Sequence, residues 1–267
     1  MVGVPCPARY EGRKGQVSRM RQPEASGLAT GAGLSAVGVS EPGQSGARSS
    51  GARSSGVTSS GATSSGATSP ERGLPPGQYV PANWPVLHYG RVPVFDPQSW
   101  SLQVFGATES GRDHRWGWDE FGTLPSRRVI ADFHCVTKFS IPDVEWEGVP
   151  AVAVLQAVPP AAETTHVMVW ADFGYSANVR IADFAADDTL LATHLNGTEL
   201  TPEHGYPVRL VVPGLYAWKS VKWVRAVEYL TRDRRGFWEE RGYHNTADPW
   251  REQRYSYQER PGEGPPL

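Results

Sequence analysis

Cysteine is nearly absent from this chain: Cys6 and Cys135 are the only two in 267 residues. Two thiols so far apart do not make a disulfide framework, and a reducing cytoplasm is the expected setting. Neither belongs to a Cys-x-x-Cys pair, which argues against a zinc site. Lysine is scarce as well, limited to Lys14, Lys138, Lys219 and Lys222. With a formal net charge of -2, the chain shows no basic excess of the kind that binds nucleic acid. No apolar run approaches the roughly 18 residues needed for a membrane span. The N-terminus lacks the apolar core of a secretory signal and the arginine pair of a twin-arginine one, so no export is expected. Also missing are a Gly-x-Gly-x-x-Gly turn after a strand, a P-loop, a His-Glu-x-x-His helix and a Gly-x-Ser-x-Gly elbow. Nicotinamide, nucleotide and α/β-hydrolase readings therefore have no support.

Aromatic residues are missing from one region only. Residues 1–72 contain no tryptophan or phenylalanine and a single tyrosine, Tyr10, whereas all ten tryptophans lie at or beyond Trp84. A segment so poor in large apolar side chains cannot offset its ordering entropy by burial. Residues 1–72 are therefore expected to be a disordered Gly/Ser/Ala-rich tail. Its repeat, GARSS GARSS GVTSS GATSS GATS from Gly46 to Ser69, has a period that fits no solenoid unit and favours flexible coil. A folded domain is expected over 73–258, with a loose, Gly/Pro-rich end at 259–267.

Within the domain, short elements of both kinds mix. Pro70 to Pro85 is Pro-rich and reads as an extended segment laid over the surface. Strands are expected at Ser101–Gly106, Val129–His134, Thr165–Trp170 and Val208–Val212, with one or two more between Lys219 and Leu230. Short helices are expected at Trp118–Phe121, at Ala151–Val158 after Pro150, and at Ile181–Ala186. Leu190–Leu200 carries Asn196-Gly197 between two apolar runs, a hairpin signal. There is no βαβ rhythm, so the fold class is α+β.

Three segments carry possible chemistry. Cys135 follows the strand ending at His134; it is a soft metal ligand, a nucleophile, or a buried cysteine packed as a small hydrophobe. His204 and Arg209 enter the Val208 strand with a spacing that fits a loop histidine and a surface arginine equally well. Ser220 and Lys222, placed on one face of the expected strand with Lys219, Val221 and Trp223 on the other, suit an anion such as phosphate.

Taken in order, ADFHCVTKFS (131–140), HGYPVRLVVPGLYAWKSVKW (204–223) and GFWEERGYHNTADPWRE (236–252) resemble the molybdopterin-binding domain of the sulfite oxidase family, over about residues 74–255. The resemblance implies a molybdopterin-dependent oxidoreductase carrying out two-electron oxygen-atom transfer, with a mononuclear molybdenum ligated by Cys135. It places His204 and Arg209 on the pterin and its phosphate, and a backbone-and-lysine clamp on Ser220, Val221 and Lys222. By position it also brings His88 and Tyr89 to the cofactor, and Ala171 and Asp172 near another contact. The implied substrate is a small oxyanion or an S- or N-oxide. Sulfite oxidases proper carry an arginine-rich stretch just after the ligand cysteine; here the residues are Val136-Thr137-Lys138-Phe139-Ser140. Their immunoglobulin-like dimerisation domain and a haem domain are not found in this sequence, which implies a monomer that exchanges electrons with an external donor or acceptor protein. The alternatives are a sulfite oxidase proper that uses other basic residues, or a non-catalytic cofactor-binding module.

Overall fold

A computed structural model describes residues 73–267; the repeat tail lies outside them. Ten strands and three short helices follow one another as β1 (Ser101–Gly106), β2 (His114–Gly117), α1 (Trp118–Phe121), β3 (Arg127–His134), β4 (Ser140–Pro150), α2 (Ala151–Ala157), β5 (His166–Ala171), β6 (Ser176–Arg180), α3 (Ile181–Phe184), β7 (Leu190–Leu195), β8 (Thr198–Glu199), β9 (Arg209–Val211) and β10 (Val224–Leu230), with several 3-10 turns between them. One sheet has the order β2-β1-β10-β5-β6; the other runs β3-β4-β7-β8, with β9 also paired to β7. The mixture of short strands and helices matches the α+β expectation. Among the described residues, no helix is long and apolar enough to cross a membrane.

Local sequence explains the elements. β1 alternates buried Leu102 and Val104 with less buried neighbours, the pattern of a strand covered on one face. α2 begins immediately after Pro150, whose missing N–H costs nothing at a helix start. Asn196 and Gly197 turn β7 into β8 with φ values of 49° and 76°, as a tight hairpin turn requires. β10 is central: it pairs parallel to β1 and antiparallel to β5. A parallel pair needs a long crossover, and here nearly the whole domain supplies it.

The expected strand over Lys219–Trp223 does not form. Ala217–Lys219 is a 3-10 turn, Trp223 has a positive φ of 57°, and β10 begins only at Val224. Buried Trp218 and Lys219 pull the segment inward, and that overrides its alternating pattern. Ser220 and Lys222 therefore do not share a strand face.

Two apolar clusters fill the interior. One gathers Leu102, Val104, Val154, Val167, Phe184 and Val227 around the β1–β10–β5 sheet. The other gathers Phe133, Val144, Trp146, Leu190, Leu200 and Val211 against β3, β4 and β7. Burying a side chain such as Trp146, fully covered here, contributes at least about 2 kcal/mol. The chain after residue 258 is tied to this body: Arg235 holds Glu259 through two bonds (2.9 and 2.6 Å) and the Pro265 carbonyl through a third (2.9 Å).

Candidate functional site

Cys135 is the first residue after β3, and its loop is fixed by backbone bonds. Its N–H donates to Phe139 O (2.8 Å), and its carbonyl accepts from the Lys138 N–H (3.0 Å). The lead-in segment lies across this loop. Tyr79 pairs with Phe139, and the Gln78 side-chain amide donates to the Cys135 carbonyl (3.2 Å). Cys135 is 8% exposed, and its thiol accepts the Thr137 hydroxyl at 3.1 Å. Burial pushes its pKa up, against the pull of bonds from Thr137 and Val136 and of the Arg254 charge. A thiol in that state is a poor free nucleophile at neutral pH. Coordination to a metal deprotonates such a thiol outright. Among the described residues, no three His, Cys, Asp or Glu side chains converge on one point, so Cys135 has no protein co-ligands for a zinc-like centre.

Three bases gather nearby. Arg209, at the start of β9, is 1% exposed. It donates to the His204 carbonyl (3.0 Å) and the Ser220 carbonyl (3.2 Å), while its Nε is buried without a partner. Its guanidinium lies 5.1 Å from the ring centres of both Phe133 and Trp146, which brings it against the end of the strand that delivers Cys135. Burial lowers its pKa to about 9, so it remains a cation at neutral pH. His204 engages Thr201 Oγ1 through Nδ1 (2.9 Å) and packs edge-on against Trp84; its Nε2 is buried and unpartnered. Lys222 donates to the carbonyls of Leu87 (2.9 Å) and Glu203 (2.6 Å). Burial, then the neighbouring Arg209, brings its pKa down to about 7, and burial with these two cations lowers His204 as well.

Among the described residues, no carboxylate pairs with Arg209, His204 or Lys222. Burial lowers all three, Arg209 also lowers Lys222, and both lower His204, opposed only by the Glu203 charge. With Arg209 Nε and His204 Nε2 buried and unpartnered, the three bases form a site short of negative charge. Gly205 lets them approach. At φ 113°, a Cβ there would fall 3.0 Å from Arg209 Cβ and 3.1 Å from Lys222 Cβ, so only glycine fits. Arg209 lies over Phe133, two residues before Cys135, so the bases and the thiol loop meet at the end of β3.

The remaining expected residues fall as follows. His88 packs on Trp223 (5.5 Å) beside the Lys222 anchor at Leu87, and Tyr89 packs on Phe237 (4.4 Å). Ala171 and Asp172 end β5 at the same turn, where the Asp172 N–H donates to the Trp223 carbonyl (3.1 Å). Ser220 Oγ accepts the Val212 N–H (3.0 Å). The N–H groups of Ser220 and Val221 donate to the carbonyls of Ala217 and Lys219 (3.1 Å each). At the clamp, then, these two amides are already spent inside the turn and Lys222 supplies the charge. Sequence reading missed Gly205, Trp84 and Gln78. Of these, only Gly205, next to His204, carried a local signal. Of two cavities, one of about 490 Å³ lies by His166, Asn178 and Asp233; the other, about 380 Å³, lies by Arg91, Phe95 and Arg225 and also borders Asp172, Tyr206 and Pro207, next to the His204–Arg209 segment.

A thiol beside three unneutralised bases suits an anionic group next to a soft donor, the pairing expected of an oxidoreductase that borrows its redox chemistry from a bound cofactor. Residues 89–238 match the family "Oxidoreductase molybdopterin binding domain", and the chain belongs to that family, a group of molybdenum-dependent enzymes whose cofactor is molybdopterin. It is 40% identical over 187 residues to the uncharacterized oxidoreductase YuiH of Bacillus subtilis, covering 69% of this chain and 92% of that one. It is 27% identical to the mitochondrial sulfite oxidase of Drosophila melanogaster, covering 57% of this chain and 31% of that protein. It is 24% identical to the protein-methionine-sulfoxide reductase catalytic subunit MsrP of Campylobacter jejuni, covering 58% and 59%. The chain thus spans less than two thirds of the latter two proteins. The residues fit the cofactor: its phosphate would satisfy Arg209 Nε and His204 Nε2 and restore the charge of Lys222.

Proposed function

We propose that Cys135 ligates the molybdenum through its thiolate and that His204, Arg209 and Lys222 hold the phosphate end of the pterin, with His88 and Tyr89 closing the N-terminal side. The observation that carries this reading is the cluster of three bases with no carboxylate in hydrogen-bond or ion-pair contact, two of them with a buried unpartnered nitrogen, near the one cysteine among the described residues. When bound, the cofactor supplies two-electron oxygen-atom transfer. The protein's part is to hold and orient. Gly205 lets the Arg209 and Lys222 stems approach, Gln78 and the Phe139 carbonyl fix the Cys135 loop, and Trp84 packs against His204. The substrate class is a small oxyanion or an S- or N-oxide, and electrons pass to or from an external protein partner.

Elemental analysis tests the reading. Protein made in a cofactor-competent host is expected to carry about one molybdenum per chain and to release a fluorescent pterin on oxidation. Chains purified without molybdenum from such a host would overturn it.

We also propose that the catalytic unit, residues 73–258 with the segment after them that is tied to Arg235, folds and holds its cofactor without the repeat tail. Deleting residues 1–70 is expected to leave the melting temperature and molybdenum content of the full chain unchanged. A destabilised or cofactor-free product would show that the repeat tail takes part in the fold.

A further inference from the structure

The β3–β4–β7 sheet ends on β3, whose outer edge has no partner strand among the described residues. Its backbone faces that edge at defined positions. Ile130 stands opposite Glu145 of β4, and Arg128 opposite Glu147. Glu145 turns both backbone groups the other way: its N–H donates to Asn196 Oδ1 (3.1 Å), and its C=O accepts the Asn196 N–H (2.8 Å). Ile130 and Glu145 are therefore a non-hydrogen-bonded pair, and the N–H and C=O of Ile130 point away from β4. Arg128 and Asp132, two residues to either side, share that orientation. The register shift beside Asp132 does not disturb it. Ala131 pairs with Val144 and Phe133 with Ile141, which puts the extra residue in β4. Among the described residues, no group bonds to the outward backbone of these three positions.

The other sheet edges are closed or short. On β6, Ser176 O accepts the Phe237 N–H (2.8 Å) and Asn178 O accepts the Lys219 ammonium (2.8 Å). β2 has four residues and β8 two. β3 has eight, and Ile130 on its outer face is 66% exposed. A large apolar side chain on a long open edge is what edge strands normally avoid.

The charges flanking Ile130 fit a second copy of the same strand. Antiparallel pairing centred on Ile130 sets it against the partner's Ile130, and sets Arg128 against the partner's Asp132 on both sides of the axis. These are the positions whose N–H and C=O face outward, so the same register also closes the backbone bonds. Parallel pairing in register would instead bring like charges together, which is unfavourable. Both charged groups have capacity left. Arg128 bridges Glu145 (3.4 Å) and Glu147 (3.2 Å) yet its side chain stays 60% exposed. Asp132 uses only Oδ1, which accepts the Asp143 N–H (2.9 Å).

We propose that β3 is a homodimer interface, in which two copies pair antiparallel across a two-fold axis at Ile130 and join their sheets into one. This stands in place of the monomer that the resemblance implies, and it does not rest on the cofactor reading. The two Cys135 loops leave opposite ends of the paired strands.

Sedimentation equilibrium of the full chain over a concentration series tests it. A single strand pair is a small interface, so the wild type is expected to pass from the mass of one chain to that of two as concentration rises. Ile130→Lys, Arg128→Asp and Asp132→Arg are each expected to weaken the dimer about tenfold or more, because each sets like charges against one another at the axis or beside it. An equimolar mixture of Arg128→Asp and Asp132→Arg is expected to dimerise again, since the mixed pair meets only opposite charges. Thermal unfolding confirms that each variant is folded, and Ile130→Lys, at an exposed position, carries the test if a charge variant is not. A wild type with the mass of one chain at every concentration would overturn the proposal. So would a dimer that survives Ile130→Lys, or folded charge variants that stay apart when mixed.

Discussion

Cys135→Ser is expected to fold as the wild type does and to lose turnover below detection. The loop does not depend on sulfur for its shape: the bonds from Cys135 N to Phe139 O, from Lys138 N to Cys135 O and from Gln78 to Cys135 O all belong to the backbone of residue 135. Serine is nearly isosteric and can accept the Thr137 hydroxyl as the thiol does at 3.1 Å. A stability change of about 1 kcal/mol or less is therefore expected, the range of substitutions that create neither a cavity nor an unpaired group. Chemically, the exchange is not conservative. A serine hydroxyl ionises far less readily and is a harder ligand, poorly matched to a soft redox metal. The measurements are thermal unfolding, molybdenum content and turnover with an artificial electron acceptor. Wild-type turnover by the serine variant would remove Cys135 from the mechanism. A variant that fails to fold would mean that the thiol's burial, not its ligation, is what the position requires; Cys135→Ala, which keeps the same backbone bonds, separates the two.

The hairpin at Asn196-Gly197 and the helix after Pro150 were readable because their signals are local. The spacing of His204 and Arg209 fitted a loop histidine and a surface arginine equally well, and only the resemblance singled them out; the need for glycine between them shows only in its φ of 113°. What was hidden depends on contacts distant in sequence. β4 contains Pro142 and Gly148, which argue against a strand when read alone. In the fold, a Cβ at Gly148 would fall 2.2 Å from the Leu191 carbonyl. The glycine admits the β7 backbone, and the pairing shifts register there. The Lys219–Trp223 segment alternates like a strand, but burial of Trp218 and Lys219 turns it inward. Arg254 has no local mark: its contact with the Val136 carbonyl arises only when the C-terminal segment folds back on the Cys135 loop.

Lys219→Met is expected to cost about 3–5 kcal/mol of stability, the range for stranding one partner of a buried ion pair. In a domain of this size, that corresponds to a fall in melting temperature on the order of 10 °C. Lys219 is 1% exposed and Glu239 is 0% exposed, and their charged atoms meet at 2.6 Å. The ammonium also donates to Asn178 O (2.8 Å), Asn178 Oδ1 (2.7 Å) and Asn245 O (2.7 Å). Burial depresses its pKa, and the Glu239 charge works in the opposite direction. On the acid's side, Trp218 Nε1 donates to Glu239 Oε1 (2.8 Å). Methionine fills much the same volume, so the loss comes from the unpaired carboxylate and from the Asn178 and Asn245 oxygens that the ammonium served, rather than from a cavity. The double variant Lys219→Met, Glu239→Leu should therefore recover the part due to the stranded carboxylate, while the Asn178 and Asn245 oxygens and Trp218 Nε1 stay unpaired. Urea unfolding of the three proteins decides the matter: a double variant as unstable as Lys219→Met would show that the stranded carboxylate is not the source of the loss. The pair also bears on chemistry. It joins the turn that leads directly into Ser220 and Lys222 to the segment that runs on from Glu239 to Arg254. Lys219→Met should accordingly lose molybdenum on dialysis faster than the wild type, and the double variant should retain more of it.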